Sequence, residues 1–156
     1  VNQLIENTAT LVRSYLTKSR VKINLNMAAQ NAMLTASPQQ LGQVLMNLIN
    51  NAVESITGTP EFQKKLKENP TYNGDIFIDT FNQNKELVIK VKDSGPGIAN
   101  VDLEQIFDPF FTRKKTMGMG VGLSICHGII EDHKGYIVAD NDKDGGAVFT
   151  ITLPLK

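Results

Sequence analysis

The spacing of apolar residues along the chain predicts three helices. Across residues 2–18, apolar side chains return every three to four positions and polar residues fill the other side, which is typical of an amphipathic helix. The clearest helical pattern follows the segment SPQQ (37–40), which supplies a capping serine, a proline suited to the first helical position and a glutamine able to complete a capping box. The third pattern covers residues 122–133, and a shorter helical candidate lies at 101–107.

A two-residue alternation of apolar and polar side chains, bounded by turn residues, predicts the strands. The polar stretch 57–74 contains proline and glycine, and we interpret it as a connecting loop that includes one or two helical turns. This order predicts a single α/β (α+β) domain, 1–156, built as a two-layer sandwich in which about three helices cover one face of a mixed, mostly antiparallel sheet. The six predicted strands are 21–26, 32–35, 75–81, 86–93, 136–140 and 147–153.

Charge and composition narrow the range of partners. The 156 residues include 16 Lys and Arg and 16 Asp and Glu, so the formal net charge is zero. A balanced chain has no general attraction to nucleic acid or to an anionic membrane, so any bound anion must be held by a local site. Cys126 is the only cysteine, which excludes an intrachain disulfide and fits a reducing compartment. We therefore expect no nucleic-acid partner and no direct membrane contact.

Asp93 is the most informative polar residue of the chain. It ends the predicted strand 86–93 on the same face as the apolar side chains of that strand, so we expect its carboxylate to be buried. An unpaired buried charge is costly, so this carboxylate needs dedicated hydrogen-bond donors. Two hypotheses stay open at this point: Asp93 fixes the turn at Ser94–Gly97, or it accepts a hydrogen bond from a ligand, such as the exocyclic amine of a base.

Asn47 and Asn51 lie four residues apart on the helix that follows Pro38, and therefore on the same side of it. Such amides often cap loops or face water. At the border of an apolar stripe, however, a partly buried amide must find a partner, and carboxamide oxygens suit Mg²⁺, which prefers oxygen ligands. The pair is therefore a candidate Mg²⁺ site.

Two glycine-rich segments add to the candidate chemistry. Gly95-Pro96-Gly97 follows Asp93 and allows a close backbone approach, although ordinary turns also use Asp and Gly. The segment GMGVGLS (118–124) runs into a helix, whose N-terminal N–H groups and dipole favour a phosphate. Basic residues at 113–115 stand just upstream, and the alternative interpretation is a flexible loop with a solvated basic cluster. The glycine spacing fits neither the dinucleotide fingerprint nor the P-loop.

The order of these segments resembles that of sensor histidine kinases, which belong to the larger group that includes gyrase, Hsp90 and MutL. The resemblance covers essentially the whole chain and implies a Bergerat-type ATP-binding fold, with ATP and Mg²⁺ as cofactors. The matching segments are QVLMNLINNAVES (43–55) for the N box, DSGPGI (93–98) for the G1 box, FDPFFTRK (107–114) for the F box, GMGVGLS (118–124) for the G2 box and GGAVFTITLP (145–154) for the closing strand.

The resemblance also implies roles for individual residues. Asp93 would accept a hydrogen bond from the adenine amino group, Asn51 would be the Mg²⁺ ligand, and Asn47 would lie beside the phosphates. Residues 107–122 would form the ATP lid, and Asn47 and Lys114 are the expected catalytic residues. The expected nucleotide-binding residues are Asn47, Asn51, Asp93, Gly95, Gly97, Ile98, Phe107, Arg113, Lys114, Gly118, Gly120, Val121, Gly122 and Leu123.

The activity implied by the resemblance is transfer of the ATP γ-phosphoryl group to a histidine. No H box with an acceptor histidine precedes the domain, so we expect that histidine on a separate dimerisation domain of the parent kinase. Residues 1–18 would then be the first helix of this domain or a linker from the dimerisation domain. The second expected partner is the receiver domain of a response regulator. We expect the domain in the cytoplasm, where it could belong to a membrane-anchored sensor.

Two departures from the family pattern affect these expectations. Glu54 stands where many relatives carry a lysine or arginine, so the expected phosphate contacts shift to Arg113, Lys114 and Lys115. Ala147 stands where relatives often have a threonine near the base.

Besides an anti-sigma-factor serine kinase, whose acceptor serine would need a base near the position of Asn47, two alternative functions stay open. The first is an ATP-driven clamp of the gyrase or Hsp90 kind. Against it, Asn47 occupies the position of the glutamate base in such clamps, and an amide cannot take a proton from water at neutral pH. The second is a non-catalytic binding module that holds a partner with or without nucleotide.

Overall fold

The chain forms four α-helices and five strands in the computed structural model, which describes residues 1–30, 34–109, 111 and 122–156. A short 3₁₀ helix covers Asn100–Asp102. The helices are α1 (Asn2–Lys18), α2 (Pro38–Thr57), α3 (Pro60–Glu68) and α4 (Gly122–Asp132). The strands are β1 (Val21–Met27), β2 (Gly74–Gln83), β3 (Glu86–Asp93), β4 (Tyr136–Asn141) and β5 (Ala147–Pro154).

The strands form one sheet in the order β1-β2-β3-β5-β4. β1 and β2 run parallel, and the connection between them contains α2 and α3, whereas the other neighbouring pairs are antiparallel. At one end of the sheet, Asp93 of β3 pairs with Ile76 near the start of β2. The predicted fold class, a two-layer sandwich with a mixed and mostly antiparallel sheet, is confirmed.

The hydrophobic core lies on one face of the sheet. α1 packs against β1, α2 against β2 and β3, and α4 against β4, so these three helices cover that face. α2 lies between the other two and buries its predicted apolar stripe; burial of one large side chain, such as Leu48, stabilises the fold by about 1.5–3 kcal/mol. No described helix has the length and apolar character needed to span a membrane. The buried residues of α2 are Leu41, Val44, Leu45, Leu48, Ile49, Ala52, Val53 and Ile56.

The start of α2 is fixed by its own cap and by a histidine that follows α4. Ser37 Oγ accepts a hydrogen bond from the backbone N–H of Gln40 at 3.2 Å, and Pro38 opens the helix, as predicted. His133 Nε2 accepts a hydrogen bond from the N–H of Ser37 at 3.0 Å, and Nδ1 donates to the carbonyl oxygen of Ile129 at 2.8 Å. His133 thereby ties the start of α2 to the end of α4.

The stretch 57–74 is more helical than predicted. It contains the nine-residue helix α3, which Thr59 caps by accepting a hydrogen bond from the N–H of Phe62 at 3.2 Å. The helix is anchored by Phe62, which is buried, and by Leu66, which packs against the core. Two apolar contacts in nine residues are too few to produce a clear periodicity, so the prediction of a loop was wrong here.

Two further local predictions need correction. The predicted strand 32–35 is wrong for Leu34 and Thr35, which belong to no strand, while residues 32–33 lie outside the described part of the chain. β1 pairs in parallel with β2, so residues 34–35 are not its partner in the sheet. The helical candidate 101–107 is limited to the 3₁₀ helix at Asn100–Asp102, followed by turns.

Candidate functional site

Asp93 is buried at the end of β3, with only 2% of its surface exposed. Its Oδ1 atom accepts a hydrogen bond from the backbone N–H of Gly95 at 2.8 Å and a longer one, at 3.4 Å, from that of Ala147 in β5. These donors stabilise a carboxylate that burial alone would disfavour. The prediction of a buried carboxylate with dedicated donors is confirmed, and one of those donors belongs to the turn that follows β3.

The segment 93–98, called the G1 segment below, lies between α2 and the turn that joins β4 to β5. A Cβ atom on Gly95 would lie 2.5 Å from Oγ of Ser55 and 3.1 Å from the backbone carbonyl carbon of Ser55 in α2, so a larger residue would have to displace one of them. Gly97 has φ of +86°, and a Cβ atom there would lie 2.6 Å from Oδ1 of Asn141. The two predicted glycines therefore allow close contact on both sides of the segment.

Asn141, the last residue of β4, holds the G1 segment from the side of the β4–β5 turn. Its Oδ1 accepts a hydrogen bond from the N–H of Ile98 at 2.7 Å, and its Nδ2 donates to the carbonyl oxygen of Ile98 at 2.6 Å. The sequence analysis did not select Asn141, because an asparagine before a run of Asp and Gly is typical of any turn. Its partner lies 43 residues away, which no local pattern indicates.

Asn47 and Asn51 both lie half-buried on one flank of α2. The Nδ2 atom of Asn47 donates to the carbonyl oxygen of Gly122, the first residue of α4, at 3.3 Å. Ser55, one turn beyond Asn51, lies against Gly95 of the G1 segment. Side chains four residues apart are neighbours on a helix, so this flank of α2 connects the start of α4 to the G1 segment, with Asn51 between them.

The thiol of Cys126 packs into the interface of α2 and α4 beside Asn47. It is fully buried, and its Sγ donates to the carbonyl oxygen of Val44 at 3.8 Å. Burial raises the pKa of this thiol from 9.0 to about 11, and hydrogen bonding with Asn47 opposes part of that rise. Cys126 is therefore a residue of the hydrophobic core.

The ends of the predicted lid are anchored on the core. The ring of Phe107 lies 5.6 Å from that of His127 and meets the ring of Phe149 edge-on at 6.2 Å, measured between centroids. On the other side, Leu123 packs against the core from the first turn of α4. Phe107 therefore packs on the core where the predicted lid begins.

Most of the predicted lid lies outside the described residues. This applies to the predicted nucleotide-binding residues Arg113, Lys114, Gly118, Gly120 and Val121. Within the described part of the chain, no group of three or more His, Cys, Asp and Glu side chains could hold a metal ion.

Comparisons with known proteins place the chain within a family. The family model described as "Histidine kinase-, DNA gyrase B-, and HSP90-like ATPase" matches residues 36–156. The chain is 30% identical over 157 residues to sporulation kinase E of Bacillus subtilis, covering 100% of this chain and 19% of that protein. It is 34% identical over 155 residues to the sensor histidine kinase ZraS of Salmonella typhimurium, covering 99% of this chain and 30% of that protein. The chain thus spans about a fifth to a third of the length of these relatives.

Solved structures show the same arrangement of elements. A nucleotide-free form of the catalytic domain of histidine kinase ThkA is similar at a TM-score of 0.81 and 33% identity, and the match covers 99% of this chain and 92% of that one. ThkA in complex with the response regulator protein TrrA matches at a TM-score of 0.78 and 30% identity, covering 100% of this chain and 40% of that one.

Proposed function

This chain belongs to the family of histidine kinase-, DNA gyrase B- and HSP90-like ATPases, as a histidine kinase catalytic domain, and we propose that it binds ATP with Mg²⁺ and transfers the γ-phosphoryl group to a histidine on a separate dimerisation domain. The observation that carries the proposal is the buried carboxylate of Asp93, held by N–H groups of the G1 segment and of β5. Such a carboxylate can accept a hydrogen bond from the amino group of adenine. Guanine has a carbonyl at the equivalent position, so the site favours ATP over GTP.

The phosphates are proposed to lie between α2 and α4. Gly122 begins α4, whose first N–H groups and positive dipole end attract a phosphate. On the facing flank of α2, Asn47 lies within hydrogen-bonding distance of Gly122 and Asn51 lies one turn further on. Asn47 is therefore the proposed neighbour of the phosphates, and Arg113 and Lys114 are the proposed cationic contacts from the lid.

The donor set of the described residues fits a Mg²⁺ ion that the nucleotide largely holds. Mg²⁺ keeps several waters and is commonly bound through substrate phosphates with one or two protein oxygens. Asn51 offers one amide oxygen, and the described residues contain no competing cluster of three or more His, Cys, Asp and Glu side chains. When bound, the ion would neutralise phosphate charge during transfer.

The residues of this chain are proposed to position the reactants rather than to supply a base. The acceptor imidazole is itself the nucleophile, and phosphoryl transfer depends mainly on positioning and charge stabilisation. Asn47 holds the first residue of α4 through its amide, which cannot take a proton from water at neutral pH. This feature favours a kinase over an ATP-driven clamp.

The acceptor histidine is proposed to come from another domain because neither histidine of this chain suits the role. Both ring nitrogens of His133 are engaged in hydrogen bonds with Ser37 and Ile129. His127 lies in α4, and a rigid helix cannot deliver this ring in line to a phosphate at its own N-terminus. The proposed partners are therefore the dimerisation domain of the parent kinase and the receiver domain of a response regulator; ThkA itself has been solved with such a regulator.

A phosphotransfer assay with γ-labelled ATP tests the proposal. We expect the isolated chain to bind Mg-ATP, to hydrolyse it very slowly and to remain unlabelled. Adding the dimerisation domain of the parent kinase should produce an acid-labile label on that domain. An acid-labile label on the isolated chain, or rapid ATP turnover that the Asn47→Ala variant loses, would contradict the proposal and favour a clamp.

A further inference from the structure

The side chain of Asn141 is bound to the backbone of the G1 segment at two points. Its carboxamide accepts from the N–H of Ile98 and donates to the carbonyl oxygen of the same residue, at 2.7 and 2.6 Å. The side-chain amide of Asn141 therefore satisfies both the N–H and the carbonyl oxygen of Ile98, as the backbone of a neighbouring strand would. Two hydrogen bonds to one residue restrict both its position and the orientation of its peptide groups.

Asn141 can serve as a fixed support because the turn that follows it is tightly bonded. The N–H of Asp142 donates to the carbonyl oxygen of Gly146 at 2.9 Å, and the N–H of Gly145 donates to that of Asp142 at 3.0 Å. The Asp142 carboxylate also accepts from the N–H of Asp144 at 3.0 Å and from Nζ of Lys92 at 2.8 Å. The hydrogen bond from Lys92, and after it the one from the N–H of Asp144, lower the pKa of the Asp142 carboxyl. Asp142 is therefore ionised at neutral pH and keeps both hydrogen bonds of the turn.

The same turn supports the other end of the G1 segment. Gly146 lies against the backbone of Asp93, and the next residue, Ala147, donates its N–H to Oδ1 of Asp93. Asn141 and Ala147 are themselves paired across β4 and β5. The β4–β5 hairpin therefore holds the segment at Asp93 and again at Ile98, the two ends of the proposed base site.

We propose that Asn141 is a positioning residue for the nucleotide base. This inference rests on the proposed function, because it assumes that adenine binds between Asp93 and the backbone of Gly95–Ile98. Asn141 acts through Ile98: it holds Gly97 and Ile98 in the conformation that receives the base, so binding does not have to order them. Without this amide, the segment would have to be ordered by the nucleotide, and affinity would fall.

The Asn141→Ala variant tests this inference, with Asn82→Ala as a matched control. Asn82 also accepts a hydrogen bond from a backbone N–H, that of Gln30 at 2.7 Å, but it lies at the opposite end of the sheet from Asp93. We expect Asn141→Ala to weaken ADP and ATP binding by about tenfold, the effect of losing roughly one net hydrogen bond. Calorimetric titration under conditions where both variants are fully folded should show no loss for Asn82→Ala.

Two further measurements separate positioning from a general loss of stability. Amide exchange at Ile98 should become faster in Asn141→Ala and should slow again when ADP is bound, because the nucleotide then orders the segment. The Asn141→Asp variant keeps an acceptor for the Ile98 N–H and should recover part of the affinity. Affinity within twofold of the wild type in Asn141→Ala, or an equal loss in Asn82→Ala, overturns the inference. If the wild-type chain binds no adenine nucleotide, the proposed function itself fails.

Discussion

Gly146 packs so closely against Asp93 that a Cβ atom on the glycine would lie 1.9 Å from the carbonyl oxygen of Asp93. The backbone of Gly146 also has φ of +91°, a conformation that other residues rarely adopt. Its neighbour Gly145 has a similar φ of +97°, but a Cβ atom there would meet nothing within 4 Å. Substituting each glycine in turn therefore separates two effects: backbone strain, which both positions share, and the contact with Asp93, which only Gly146 makes.

The Gly145→Ala and Gly146→Ala variants should differ in both stability and binding. Gly145→Ala introduces only backbone strain, on the order of 1–3 kcal/mol. Gly146→Ala adds a collision with the backbone of Asp93, so we expect a larger loss and a displaced carboxylate. Urea unfolding and ADP titration check the two effects. Equal stabilities and equal affinities in the two variants would show that the contact with Asp93 is unimportant.

The Asp93→Asn variant should lose ATP affinity while keeping the fold. The amide of the new asparagine keeps an oxygen that can accept from the N–H of Gly95. Its NH₂ group then faces the amino group of adenine, and two donors cannot form a hydrogen bond. We expect a loss of about 10- to 100-fold, typical of removing one hydrogen bond to a charged group. Calorimetric titration with ATP measures the loss, and GTP should bind the wild-type chain far more weakly than ATP.

The control for this variant is Asp79→Asn. Asp79 is half-buried on β2, one residue out of phase with the core-facing Ile78 and Thr80, and therefore on the opposite face of the same sheet. Its ATP affinity should equal that of the wild type. Unchanged affinity in Asp93→Asn would remove the central assignment of the site.

Local sequence chemistry accounts for the elements that carry the site. The start of α2 depends on Ser37 and Pro38, its burial depends on a stripe repeated every three to four residues, and β3 depends on alternation that ends at Asp93. Each of these signals lies within one element, and each prediction was confirmed. The fold class followed because the order of helices and strands leaves few ways to cover one face of a sheet.

Contacts between distant segments could not be predicted in this way. The hydrogen bond between Asn141 and Ile98 joins residues 43 apart, and that between Ser37 and His133 joins residues 96 apart. No periodicity encodes such pairs, since they depend on how β4 and α4 pack in the finished fold. The same limit explains why α3, which has few apolar contacts, was interpreted as a loop.

The His133→Ala variant should destabilise the domain without changing the base site directly. It removes the acceptor for the N–H of Ser37 and the donor to the carbonyl oxygen of Ile129. We expect a loss of about 1–3 kcal/mol in the free energy of unfolding, measured by urea titration. His127→Ala serves as the comparison. Its side chain is 42% exposed, Nε2 lies 3.6 Å from Oε1 of Glu131 in a weak surface pair, and the variant also gives up the ring contact with Phe107, so a smaller loss than in His133→Ala is expected. A smaller loss in His133→Ala than in His127→Ala contradicts the proposed link between α2 and α4.

The thiol of Cys126 should make part of the stability depend on alkaline pH. Its pKa rises from 9.0 to about 11 on folding, so the folded state holds the proton more tightly than the unfolded chain. The resulting stabilisation is complete below pH 9 and is lost as the pH rises through about 11. A shift of this size corresponds to a contribution on the order of 3 kcal/mol.

Comparing the wild type with Cys126→Ala isolates this contribution, since lysine and tyrosine titrations are common to both proteins. At neutral pH the variant should be less stable by about 1–2 kcal/mol, because the packing of the buried sulfur is lost. Near pH 10 ionisation of the thiol stabilises the unfolded wild-type chain, and the variant has no such thiol. The difference in the free energy of unfolding between wild type and variant should therefore shrink. Urea unfolding under reducing conditions at both pH values measures it. A difference that stays constant would show that the thiol ionises as readily in the folded protein as in the unfolded chain, and one that grows with pH would show that it ionises more readily when folded. Either result would contradict the raised pKa of the buried Cys126 thiol.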